Sequence, residues 1–260
     1  MPDTIRPSEA ALQEWITLVA NALPQDTYEV PNERSRDFQL LYGPCMQASR
    51  FSASFVGLHV SDFSHEAGVL ARAAFEHAVT AHWVYFTSGG LDRFASALVA
   101  DAAAYRDDLD DYLGNMRPTD REFAAIKGKG LPPFGQMMWD LDSHSYLRTT
   151  YRSLSLRVHP THAAVAGYLV HTDEGTELRH RPEGSAELFP ALYSCAISSM
   201  LAYALVRHII DPMTAPSLVE EASVALRLPP FLDDALPSEK RRFPDRWSVR
   251  EPSAVSRRAQ

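Results

Sequence analysis

Two stretches of this sequence hold polar residues at spacings that could do chemistry. In Tyr151-Arg-Ser-Leu-Ser155-Leu-Arg-Val-His159 a phenol, a hydroxyl and an imidazole recur every four residues, which places them along one side of a helix. His144, Arg148 and Arg152 form a parallel series at the same spacing. At about 100° per residue, Leu147, Tyr151, Leu154 and Val158 share a sector about 60° wide, and His144, Arg148, Arg152, Ser155 and His159 occupy the next 80° or so. The first sector is a packing seam and the second a polar rim. An imidazole on such a rim can move protons near neutral pH, and a guanidinium beside it can hold an anion.

Arg72 and Glu76 form the second stretch, one turn apart in an alanine-rich segment among Val69, Phe75, Val79 and Trp83. Charged side chains are rarely buried unpaired, and Arg before Glu is the weaker order for a solvated pair, so a surface-stabilising role explains them poorly. If this pair meets Tyr151, Ser155 and His159 across a bundle, a carboxylate on one imidazole nitrogen would fix the His159 tautomer and free the other for proton transfer. Two plainer readings stand beside this one. The five groups can simply satisfy one another in a polar core, and His159, next to Pro160, can act only as a helix C-cap.

The elements that must carry these residues are helical. Ser8 caps a first helix with apolar residues at Leu12, Trp15, Ile16, Val19 and Leu23, ended by Pro24. Gly43-Pro44 breaks the chain before a second helix over 45–60. A third, over 62–87, is apolar round much of its girth and so central; Ser88-Gly89-Gly90 ends it, and a fourth follows over 91–113. Thr119-x-x-Glu122 caps a short helix, and 136–141 forms a turn. The sixth helix covers 142–159, stopped by Pro160. A short helix over 161–170, a small hairpin near 168–181, a long helix from Ser185 to Ile210 and a last one from Ser217 to about Leu228 complete an all-α bundle of eight to nine helices. One domain spans 1–236. Beyond it, 237–260 carries seven basic and three acidic residues with little apolar content and reads as a disordered tail.

Composition narrows the functional classes. The 260 residues are 45% apolar and 22% charged, with a net charge of -8, which opposes general attraction to nucleic acid or an anionic membrane while leaving room for a local basic patch. Cys45 and Cys195 lie in apolar helical patterns without metal-knuckle spacing and read as free thiols in a reducing compartment, so a cytoplasmic location is expected. Ser194, Ser198, Ser199, Arg207 and His208 interrupt the longest apolar segment, which reads as a core helix and not a membrane span.

No metal or cofactor is expected. The only Glu-x-x-His spacing, Glu177 to His180, falls in a polar connector and not on facing helices. The acidic run Asp107 to Asp111 lacks the loop and glycine of a calcium site. Lys127-Gly-Lys-Gly130 lacks the phosphate-loop ending, and neither a nucleophile elbow nor a dinucleotide fingerprint occurs.

Arg72-x3-Glu76 together with Tyr151-x3-Ser155-x3-His159-Pro160 resembles an uncharacterised bacterial helical family, a domain of unknown function, over about the central two-thirds of the chain. That likeness implies a fold and a site but no activity. Arg152-x6-His159 is more distantly similar to the Arg-x4-6-His motif of HEPN domains, many of which are metal-independent RNases of toxin and phage-defence systems. This likeness implies that Arg152 stabilises phosphate charge, that His159 transfers protons, and that a homodimer juxtaposes two sites. Ser153 follows the arginine here, where those enzymes carry Asn, Asp or His.

The expectation is therefore a ligand- or partner-binding, or structural, helical module whose network comprises Arg72, Glu76, His144, Arg148, Tyr151 and Ser155. The alternative is a HEPN-like RNase using Arg152 and His159 as catalytic residues, and RNA enters as a partner only on that reading.

Overall fold

The computed structural model describes residues 6–25, 27–61, 63, 66–113, 130–142, 144–159, 168–173, 175–178, 189–211, 217–232 and 235–243. Among them are eight α-helices: α1 Glu9–Ala22, α2 Ser35–Val60, α3 Gly68–Phe86, α4 Gly90–Leu113, α5 Phe134–Leu141, α6 Tyr146–Val158, α7 Phe189–Ile210 and α8 Ser217–Leu226. One antiparallel hairpin accompanies them, β1 Leu169–Thr172 paired with β2 Gly175–Leu178, in the register Leu169 to Leu178 and Thr172 to Gly175. The chain is thus an all-α multi-helix bundle with one small hairpin where the turn signal placed it. The expected helix at 119–128, residues 161–167 of the one expected over 161–170, Ser185, His180 and most of the Lys127–Gly130 loop lie outside the described residues; Leu169 and Val170, expected to end that helix, belong to β1 because they pair with β2.

The core is built where α2, α3 and α7 pack on one another, with α1 across α7. Trp15 of α1 donates its indole N–H to the Ala196 carbonyl at 3.3 Å, and Ser52 of α2 donates to the Cys195 carbonyl at 3.1 Å, so the buried polar groups at these crossings have partners. Cys45 and Cys195 are free and buried, and burial pushes the Cys45 thiol up to about 12. Among the described helices α7 alone is long and apolar enough to cross a membrane, with mean hydropathy 1.5, yet 83% of that stretch is buried inside the protein.

Gly43-Pro44 does not break the chain: α2 runs through Pro44 as one 26-residue helix. Proline removes a single ladder hydrogen bond and strains the turn before it, but Leu41, Cys45, Ala48, Ser52 and Phe55 are all buried at spacings of four and three. That stripe spans the proline without a phase change, so burial overrides the local signal.

α3 begins at Gly68, later than expected, and Val69 is 51% exposed. Its C-terminal third, Ala81 through Phe86, is buried on every side. Gly89, at φ +70°, makes the turn into α4, and Gly90 sits so close to the Val84 carbonyl that a Cβ would collide with it.

The tail expected to be loose from Pro237 is docked as far as Phe243. Arg242 donates its backbone N–H to the Phe86 carbonyl and Ser88 donates to that of Lys240, both at 2.8 Å, while Thr87 and Arg241 form an isolated bridge. A buried carboxylate holds this strap. Asp37 of α2, 2% exposed, accepts from Arg242 Nη2 at 3.0 Å and lies 3.6 Å from Arg34, and both guanidinium groups stand over the Phe243 ring.

Candidate functional site at the α3–α6 edge

The site is positioned by the ends of α6. The helix starts at Tyr146 and not at 142, because Ser145 at φ +63° turns the chain just before it; the Asp142 carboxylate ahead of that turn accepts from the backbone N–H of His144 at 2.8 Å and of Leu147 at 2.7 Å, satisfying donors that a helix start leaves open. Buried Leu147 and Leu154 form the seam against the core. At the other end His159 is the C-cap, turning to extended backbone at φ -92°, ψ 156° while its N–H still bonds the Ser155 carbonyl. A residue before proline favours that extended backbone, and the His159 imidazole meets α3.

There it meets Arg72. A single guanidinium donates from Nε to Glu76 Oε1 at 2.9 Å, from Nη2 to the Tyr151 hydroxyl at 2.6 Å, and from Nη1 to His159 Nε2 at 2.7 Å. The guanidinium carbon also lies 4.9 Å from the centre of the Tyr151 ring, within cation–π range. Burial works against the Arg72 charge, but the bonds to Glu76 and Tyr151 outweigh it and raise the group further above its usual range. The hub is partly sheltered, with Arg72 19% and Glu76 38% exposed. Arg72 and Glu76 therefore sit on the rim of α3 and not in the middle of its apolar face; the exposed Val69 had weighted the wheel toward a deeper placement.

The expected contact between α3 and α6 is present with its chemistry rearranged. The imidazole is bonded by the guanidinium and not by the carboxylate. Arginine has only N–H donors, so His159 Nε2 must be the accepting, unprotonated nitrogen, and the neutral ring carries its proton on Nδ1. Glu76 orients Arg72 instead of His159.

Other residues of the polar rim are placed elsewhere. Ser155 turns its hydroxyl back to the Tyr151 carbonyl at 2.7 Å. Arg148 lies over the Trp139 ring at 4.1 Å, and His144 and Arg152 are exposed. Arg152 shares a helix face with His159 but stands about 10 Å away along the axis at 1.5 Å per residue. No group of three or more His, Cys, Asp or Glu that could hold a metal ion occurs among the described residues.

Three residues of this neighbourhood were not legible beforehand. Phe134 packs its ring 4.9 Å from that of Tyr151 and meets Phe75 from the other side. Trp139 underlies Arg148. Asp140 accepts from Trp83 Nε1 at 2.9 Å, from Gln136 at 3.0 Å and from Lys240 at 3.3 Å; burial opposes its charge, but these bonds hold the carboxyl below its usual value. All three lie on or at the start of α5, a segment where prolines and glycines suggest only a turn.

His82 and His77 show what a structural histidine looks like in this protein. Fully buried His82 donates Nε2–H to the Leu201 carbonyl at 3.0 Å, and its Nδ1 accepts from the Leu232 N–H at 3.4 Å. His77 packs on Phe51, and burial lowers its pKa against the opposing pull of Glu76. His159 differs from both: it is exposed and, among the described residues, engaged on one nitrogen. Comparison of the chain with protein-family models, curated proteins and solved structures finds no match.

Proposed function

We propose that this chain is a non-catalytic helical binding module whose site is the rim formed by Arg72, Glu76, Tyr151 and His159, where α3 meets α6. The observation that carries this reading is the single guanidinium engaged by three side chains at 2.6 to 2.9 Å. It fixes each partner's orientation and leaves His159 on the surface. A network that served packing alone would enclose the imidazole.

The same geometry weighs against the RNase reading. A general base needs a free lone pair within reach of the proton it takes, and the basic nitrogen of His159 is already accepting from Arg72. Exposure of His159 and Arg152 on one helix face is what favours the alternative.

Incubating the purified chain and its His159→Ala variant with RNA, without added metal, separates the two. We expect no cleavage by either. Cleavage by the parent that vanishes in the variant would replace the binding reading with a catalytic one.

A further inference from the structure

Resting on the binding reading, we infer that the ligand presents an acid group, a carboxylate or a phosphate, to Arg72 and Tyr151, with His159 holding the guanidinium in place. A guanidinium has five N–H groups; three are engaged by Glu76, Tyr151 and His159, and the other two have no partner among the described residues. The Tyr151 hydroxyl accepts from Arg72, so its own proton is left to donate, and no acceptor for it occurs among the described residues. Two side chains joined by one hydrogen bond thus keep donors in hand, and an oxyanion can accept from both of them.

Charge supports an acid over a neutral acceptor. Glu76 offsets Arg72, but exposed Arg148 and Arg152 on the polar face of α6 restore a positive rim on a chain whose overall charge is -8. Phe134 and the Tyr151 ring supply a half-buried aromatic floor beside the donors, as ligand sites commonly do. Glu76 has two opposed effects: it aims the guanidinium, and its charge repels the ligand. Glu76→Gln keeps the Oε1 acceptor for Arg72 Nε and removes the repulsion, so it should tighten anion binding, whereas loss of a merely structural ion pair would not.

The test is titration of the intact chain at low ionic strength with inorganic phosphate, with acetate and with neutral acetamide, read by amide chemical shifts around 151–159. At least one anion is expected to bind about tenfold more tightly than acetamide, since one charged contact commonly contributes that much. Which anion does so distinguishes a phosphate from a carboxylate group. Glu76→Gln should tighten it about threefold, the Coulomb effect of one nearby solvated charge. Arg72→Met should abolish binding, and Arg152→Gln should weaken it about twofold through screened attraction. Acetamide binding as tightly as the anions, or Glu76→Gln leaving the anion affinity unchanged, would overturn the acid-group inference while the binding module stands. If none of the three probes binds, both readings fall.

Discussion

The molecule contains two arginine-centred networks, and they are built in opposite ways. At the C-terminal strap one buried carboxylate, Asp37, gathers two cations, Arg34 and Arg242, under aromatic cover from Tyr85 and Phe243. At the α3–α6 edge one cation, Arg72, gathers a carboxylate, a phenol and an imidazole, the first two bonds part-buried and the third at the surface. A buried acid with its charges matched is a fastening. A rim cation that orients hydrogen-bond donors toward solvent has capacity to spare.

If that contrast is correct, stability should depend far more on the first network than on the second. Asp37→Ala should lower unfolding free energy by about 2–3 kcal/mol in denaturant titrations, because it removes charge-assisted bonds from a buried site. Ending the chain at residue 236 should cost about 2 kcal/mol, and combining the two changes should cost clearly less than their sum, since both release the same strap. Full additivity would mean the strap is held by something other than Asp37.

At the rim the losses should be smaller. Glu76→Ala should cost about 1 kcal/mol or less, because Glu76 is one-third exposed and Arg72 keeps Tyr151 and His159 as partners. A melting curve displaced as far as that of Asp37→Ala would erase the distinction between the two networks. Arg152→Ala should stay within about 0.5 kcal/mol, as exposed side chains generally do.

Acid should reach the two regions through different groups. The pKa of His77 is lowered in the fold, so the unfolded chain binds the proton more readily; stability falls as pH drops below the ordinary imidazole value of 6.5. His77→Gln should flatten that slope. Asp140, whose carboxyl is held below its ordinary 3.8, contributes stability that is present above that value and lost only as pH falls through the lower, folded one.

Much of this was readable from residue spacing. The four-residue periods of Arg72–Glu76 and Tyr151–Ser155–His159 marked two polar edges, and the bundle brings them together. Their partnering was not readable, because which nitrogen or oxygen meets the guanidinium depends on how α3 and α6 cross and on the turn His159 makes as a C-cap. Ser155 shows the limit of a wheel: it lies in the correct sector, but a mid-helix serine can bond its own backbone carbonyl instead. Pro44 failed as a helix stop because the buried stripe of α2 continues through it. Asp37 and the strap from Pro237 to Phe243 were invisible for a related reason. Their polar sequences favour solvent until a partner more than 200 positions away is in place.

The tautomer of His159 bears most directly on whether Arg72 organises an outward-facing set of donors. Nitrogen-15 shifts of the imidazole should be recorded in alkaline solution, where the ring is neutral. The expected spectrum has protonated Nδ1 and unprotonated Nε2 in the parent chain, reverting toward the usual mixture of tautomers in Arg72→Met. A protonated Nε2 in the parent, unchanged by that substitution, would contradict the arrangement on which the binding site rests.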